Sequence, residues 1–168
     1  MEIIFETPQD GHYFFGYWDK SPLDKKNNKL LACKADFIDR PPTAKDTLKI
    51  GYFDWQNSKE FIEITYTRTW NWQQGCMLQW FGDSDTQIIY NDLVNNKFVT
   101  VIFDLVSHVK TLLPLAYYSS SSDGTFLLCI DNERHAWFRS NYSYQGIKNE
   151  QKNVPYLPED GIWSIDVK

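Results

Sequence analysis

Three stretches of this chain share one layout, and that repeat restricts its fold more than any other feature. DKKNNKLLAC around Leu31, GDSDTQIIYN around Ile89 and SSDGTFLLCID around Leu128 each run from turn residues into an apolar pair. Each is followed by an apolar run that ends in aspartate: KIGYFD at Asp54, VTVIFD at Asp104 and IWSID at Asp166. Behind the first two comes one more β-rich run, EFIEITYT and VKTLLPL. Short runs of Val, Ile, Thr, Tyr and Phe between turn clusters are the pattern of antiparallel strands. A recurring unit of four such strands, whose faces are buried only by its neighbours, is a β-propeller blade. The expected fold is therefore all-β, with about three blades and the propeller incomplete.

The repeat divides the chain into a single, partial propeller domain over residues 1–168. Residues 1–8 are expected to be a closing outer strand, 9–67 the first blade, 68–115 the second, and 116–168 a third blade lacking its outer strand. Leu31, Ile89 and Leu128 are placed on inner strands at equivalent positions. The insertions DFIDRPPTAKD and 132–160 fall in loops, where propellers tolerate added length. Phe98, Val101, Ile102, Leu105, Val109 and Leu112 also fit one helical face. The β-branched and aromatic run FVTVIF and its match to the other repeats favour strand, turn, strand instead. Fewer blades than the usual minimum of four leave a sheet face and edge open, so self-association through that edge is expected.

With 42% apolar, 17% aromatic and only 23% charged residues, the chain has the composition of a packed domain. Its net charge of −5, with no long run of one sign, provides no basis for a nucleic-acid partner. MEIIFETPQD lacks the basic and apolar regions of a signal peptide, and no stretch approaches the roughly 18 apolar residues of a membrane span. A cytoplasmic location and no membrane partner are the expectations. Cys33, Cys76 and Cys129 have neither C-x-x-C spacing nor a pair of histidines beside them, and read as reduced core residues. No phosphate-binding, dinucleotide, nucleophile-elbow or zinc-protease motif occurs, so no cofactor or metal is expected.

In a propeller, loops that enter the innermost strand open onto the central channel. Two such loops, 11–20 and 68–75, carry aromatic rings beside carboxylate, amide and cationic groups. Rings stack on the apolar face of a sugar while polar groups bond its hydroxyls, which points to a saccharide. The candidate ligand-binding residues are His12, Tyr17, Asp19, Arg68, Trp70, Asn71, Trp72, Gln73 and Gln74. Trp70, Asn71, Trp72 and Gln74 are expected to converge with His12, Tyr17 and Asp19 on one hollow. The same residue types also fill the wedge between blades and cap backbone groups, and packing is the competing role. His108 reads as a turn or surface residue, and Asp54, Asp104 and Asp166 as turn formers. Catalytic carboxylates are not assignable, because their separation of roughly 5–10 Å leaves no trace in sequence.

GHYFFGYWDKSPLD, the DRPPT turn, TWNWQQGCMLQW and QIIYND resemble the N-terminal part of an uncharacterised bacterial family of β-propeller proteins. Members of that family are longer and often accompany polysaccharide or capsule biosynthesis genes. The resemblance covers about residues 10–167 and implies a carbohydrate-related role in bacterial surface polysaccharide metabolism, with a saccharide bound or processed at the channel mouth. More distantly, S-x-D-G-x-x-L-L at 121–128 is similar to TolB-like repeats and to oligogalacturonate lyases, manganese-dependent propellers with His and Gln ligands. Gln73 or Gln74 falls near where such a Gln lies, but the histidine cluster is absent. Two alternatives stand beside the leading reading: a polysaccharide lyase or glycoside hydrolase with key residues outside this chain, and a protein interaction scaffold.

Overall fold

In a computed structural model, which describes residues 1–167, the chain is all-β apart from two short helical turns. The first sheet contains β1 (His12–Phe14), β2 (Lys29–Ala35), β3 (Leu48–Asp54) and β4 (Phe61–Thr67). The second contains β5 (Gln79–Trp80), β6 (Gln87–Val94), β7 (Lys97–Asp104) and β8 (Lys110–Leu113). The third contains β9 (Tyr117–Ser120), β10 (Phe126–Ile130) and β11 (Ile162–Asp166). Each sheet is an antiparallel meander whose strand order follows the chain, and none of the three is closed.

The repeat reappears as a shared register. Asp54 pairs with Lys29, Asp104 with Gln87 and Asp166 with Phe126. Leu31, Ile89 and Leu128 each lie two residues beyond that pair, so they are equivalent. They stand on the second strand of each sheet, however, which corrects their placement on inner strands. The preceding first strands β1, β5 and β9 have two to four residues, too few to display an alternating run. The segment 98–112 is strand, turn, strand as expected.

Local turn chemistry sets the hairpins. Asn95 and Asn96, at φ of 50° and 59°, make the tight β6–β7 connection in the left-handed conformation that asparagine tolerates. After β7, Asp104 Oδ1 accepts the backbone N–H groups of Val106 and Ser107, and His108 completes the turn at φ 59°. After β3, Asp54 accepts from the Asn57 side chain and closes the corresponding turn.

The alternating side chains of the strands bury two interfaces between consecutive sheets. Leu31, Cys33 and Ile50 of the first sheet share a cluster with Ile88, Tyr90 and Val101 of the second. On the opposite face of the second sheet, Ile89 and Ile102 join Leu127 and Cys129 of the third. Each fully buried aliphatic side chain contributes about 1.5–3 kcal/mol relative to exposure. The next face in this stack is bare: Phe126, Leu128 and Ile162 are 45%, 38% and 75% exposed, whereas the equivalent Leu31 and Ile89 are at most 1%.

Two segments depart from the expected organisation. Residues 1–8 form no strand; Phe5 instead sets its ring 5.3 Å from Phe53 on the outer face of the first sheet. Within 132–160 a short helix, α1 (Asn132–Phe138), begins at Asp131, whose carboxylate accepts the Arg134 N–H, and a single 3-10 turn spans Ser140–Tyr142. No helix among the described residues is long and apolar enough to cross a membrane.

Candidate functional site

The loop 68–75 folds back on itself. Asn71 and Gly75 exchange both backbone hydrogen bonds, while Asn71 Oδ1 accepts the N–H groups of Gln73 and Gln74 at 3.0 and 2.8 Å. This turn sends Trp70 and Gln74 inward and leaves Gln73 exposed. Trp70 is 2% exposed and lies among the rings of Phe14, Phe37 and Trp72. Gln74 is buried, and its Nε2 donates to the Tyr118 hydroxyl at 3.3 Å. Packing therefore accounts for Trp70 and Gln74.

Loops 11–20 and 68–75 meet through backbone rather than around a hollow. A Cβ placed on Gly16 would stand 2.5 Å from the Gln74 carbonyl oxygen, so only glycine permits this approach. His12 is paired opposite Ala35 in β1. The Tyr17 ring lies 5.7 Å from that of Trp18, and Asp19 forms a 3.7 Å ion pair with Lys20. Arg68 reaches the Leu93 carbonyl on the second sheet at 3.4 Å.

A cleft of about 630 Å³ lies elsewhere and takes three of the nine candidates: Asn71, Trp72 and Gln73. His12, Tyr17, Asp19, Arg68, Trp70 and Gln74 are not among its walls. Its second wall is the turn 41–44, and its third is 140–146 from the long insertion, where Asn141 and Gln145 are exposed. Every lining residue is uncharged. Trp72 is half-buried and anchored by donating its Nε1 to the Arg40 carbonyl at 2.8 Å. Asn71 is 4% exposed, and its Nδ2 has no hydrogen-bond partner. A buried amide donor without an acceptor costs about 1–3 kcal/mol.

The turn 41–44 is rigid for identifiable reasons. Arg40 clasps Asp46 with two N–O contacts of 2.7 Å, and its guanidinium lies 3.7 Å over the Phe37 ring. Asp46 also accepts the Thr43 N–H and hydroxyl at 2.7 and 2.8 Å. The Arg40 guanidinium, and after it the Thr43 donors, hold the Asp46 carboxyl well below the usual carboxylate range. A carboxylate depressed on folding stabilises fully above its unfolded pKa of about 3.9 and loses that contribution as pH falls through the lower folded value. Asp46→Asn should therefore lower the melting midpoint most at pH 6, with the difference from wild type shrinking steadily towards pH 2. A difference independent of pH over that range would refute the assignment.

All three cysteines are free and buried. Burial raises the Cys129 thiol to about 11 and drives Cys76 well above its ordinary value. Neither is a thiolate near neutral pH. His135, on α1, faces Tyr118 edge-on with ring centroids 6.3 Å apart; burial and then Arg139 push its pKa down. No group of three or more His, Cys, Asp or Glu among the described residues is arranged to hold a metal ion.

Reading the sequence missed the contribution of 140–146. Its signal was present: SNYSYQG carries the same mixture of amide, hydroxyl and aromatic groups that singled out TWNWQQG. Compared with known protein families, curated proteins and solved structures, the chain matches none.

Proposed function

We propose that this protein binds carbohydrate, with a saccharide seated in the cleft between residues 41–44, 71–73 and 140–146. The observation that carries the reading is an uncharged cleft that presents Trp72 beside the exposed Gln73, Asn141 and Gln145 amides. Sugar hydroxyls supply acceptors for such amides, and an indole face covers the apolar side of a pyranose. TWNWQQG and DRPPT, the segments that carry the resemblance, both contribute residues to these walls. Binding is favoured over glycoside hydrolysis because no Asp or Glu lines the cleft, whereas hydrolysis commonly uses two carboxylates beside the scissile bond.

Gln73 and Asn141 are exposed, and neither side chain makes a hydrogen bond among the described residues, so they test the site cleanly. Gln73→Ala and Asn141→Ala should each weaken glycan binding by about 1–2 kcal/mol with the melting temperature unchanged. Titration calorimetry against the best ligand from a bacterial glycan panel measures this. A folded protein that binds nothing on the panel, or variants that bind as wild type does, would overturn the reading.

The architecture is that of successive propeller blades in this proposal. Supporting it are the shared aspartate register, the face-to-face order of the sheets and the 2.6 Å bond from Gln79 to Ser120, which links the first strands of the second and third sheets. The bare face at Phe126, Leu128 and Ile162 is then the next interface of the stack, and copies of this chain are expected to associate through it. Phe126→Lys with Leu128→Lys should shift sedimentation towards monomer; a wild-type chain that stays monomeric at high concentration would exclude this association.

A further inference from the structure

We infer that the cleft selects uncharged saccharides and discriminates against uronates, sialylated and phosphorylated sugars. This rests on the reading of the cleft as a saccharide site and adds a ligand class to it. A carboxylate or phosphate brought into a partly enclosed cleft loses hydration, and it binds well only where a cation or several directed N–H groups replace the lost water. The walls provide amides, hydroxyls, prolines and one indole, but no Lys, Arg or His.

The guanidinium nearest in sequence is already committed. Arg40 precedes the wall residue Pro41, yet its guanidinium nitrogens bind both Asp46 oxygens at 2.7 Å and also the Pro41 carbonyl at 3.2 Å. Releasing it for an anionic ligand would strand Asp46 behind Thr43. Lys45 and Arg139 border the walls in sequence but line neither, so any pull they exert on an anion acts through solvent and is screened by salt. Neutral sugars meet no such obstacle, because the exposed Gln73, Asn141 and Gln145 amides match hydroxyl or acetamido groups without a charge imbalance.

The test uses the whole chain and two sets of oligosaccharides of equal length, neutral (cello-, malto- and chito-oligosaccharides) and acidic (oligogalacturonates and sialylated oligosaccharides), titrated at low and high NaCl. At least one neutral ligand should bind about tenfold more tightly than every acidic one, with an affinity that does not change with salt. Gln73→Lys, which exchanges a sugar-binding amide on the exposed part of the wall for a cation, should raise oligogalacturonate affinity about tenfold while weakening the neutral ligand as Gln73→Ala does, so that the preference for neutral ligands narrows or reverses. If acidic ligands bind the wild type as tightly as neutral ones, or more tightly, the charge selectivity is wrong while the saccharide site stands. If neither set binds the folded protein, the selectivity and the functional reading fall together.

Discussion

Replacing Trp70 by alanine is expected to destabilise the protein by about 3–5 kcal/mol, a large share of the roughly 5–15 kcal/mol that holds a domain of this size together. Trp70 is 2% exposed, its ring is surrounded by Phe14, Phe37 and Trp72 at 5.1–6.2 Å, and its Nε1 donates to the Asp46 carbonyl at 3.0 Å. Alanine would leave a cavity among rings from β1 and two loops, and it would orphan that carbonyl. Trp70→Phe separates the two contributions: most ring contacts survive, and the lost hydrogen bond alone should cost about 1–2 kcal/mol. Urea unfolding of the three proteins, with m-values compared, measures both differences. A cost below about 1 kcal/mol for alanine would show that the aromatic cluster rearranges freely, contrary to the packing role assigned here.

Asn91→Ala should be nearly as costly, about 3–5 kcal/mol, because one buried amide satisfies three groups at once. Its Nδ2 donates to the Tyr117 carbonyl and to the Tyr144 hydroxyl, both at 2.8 Å, and its Oδ1 accepts the Tyr117 N–H at 3.0 Å. Tyr117 N–H keeps a second acceptor in Thr100 Oγ1, but the carbonyl and the Tyr144 hydroxyl lose this donor. Tyr144 sits between the wall residues Ser143 and Gln145, so the same substitution should loosen one side of the cleft. Glycan affinity should fall several-fold even at a temperature where the variant is fully folded. Chemical denaturation and titration calorimetry on one preparation check both effects; a folded Asn91→Ala protein with full affinity would show that the 140–146 wall is held by other contacts.

The longer strands, the recurrence of the aspartates that end them, the turn roles of Asp54 and Asp104, and the burial of the three cysteines followed from the sequence itself. These features are local: a two-residue alternation or an Asx turn is decided by neighbours within a few positions. The short strands β1, β5 and β9 were hidden because two to four residues carry no period, so the second strand of each sheet was read as the inner one. Tertiary structure alone decided which chemically rich side chains became core and which became surface. Trp70 and Trp72 are two residues apart in one loop, yet one is enclosed by Phe14 and Phe37 while the other is half-exposed at a cleft. That cleft joins segments near residues 41, 71 and 140, and their meeting depends on the sheet stack, on Gly16 passing close to Gln74 and on Asn91 tying down Tyr144. Such long-range contacts are selected by the burial and hydrogen bonding of the whole fold, so the composition of a loop indicates what it could bind, and only the packing around it determines which of its groups remain accessible to a ligand.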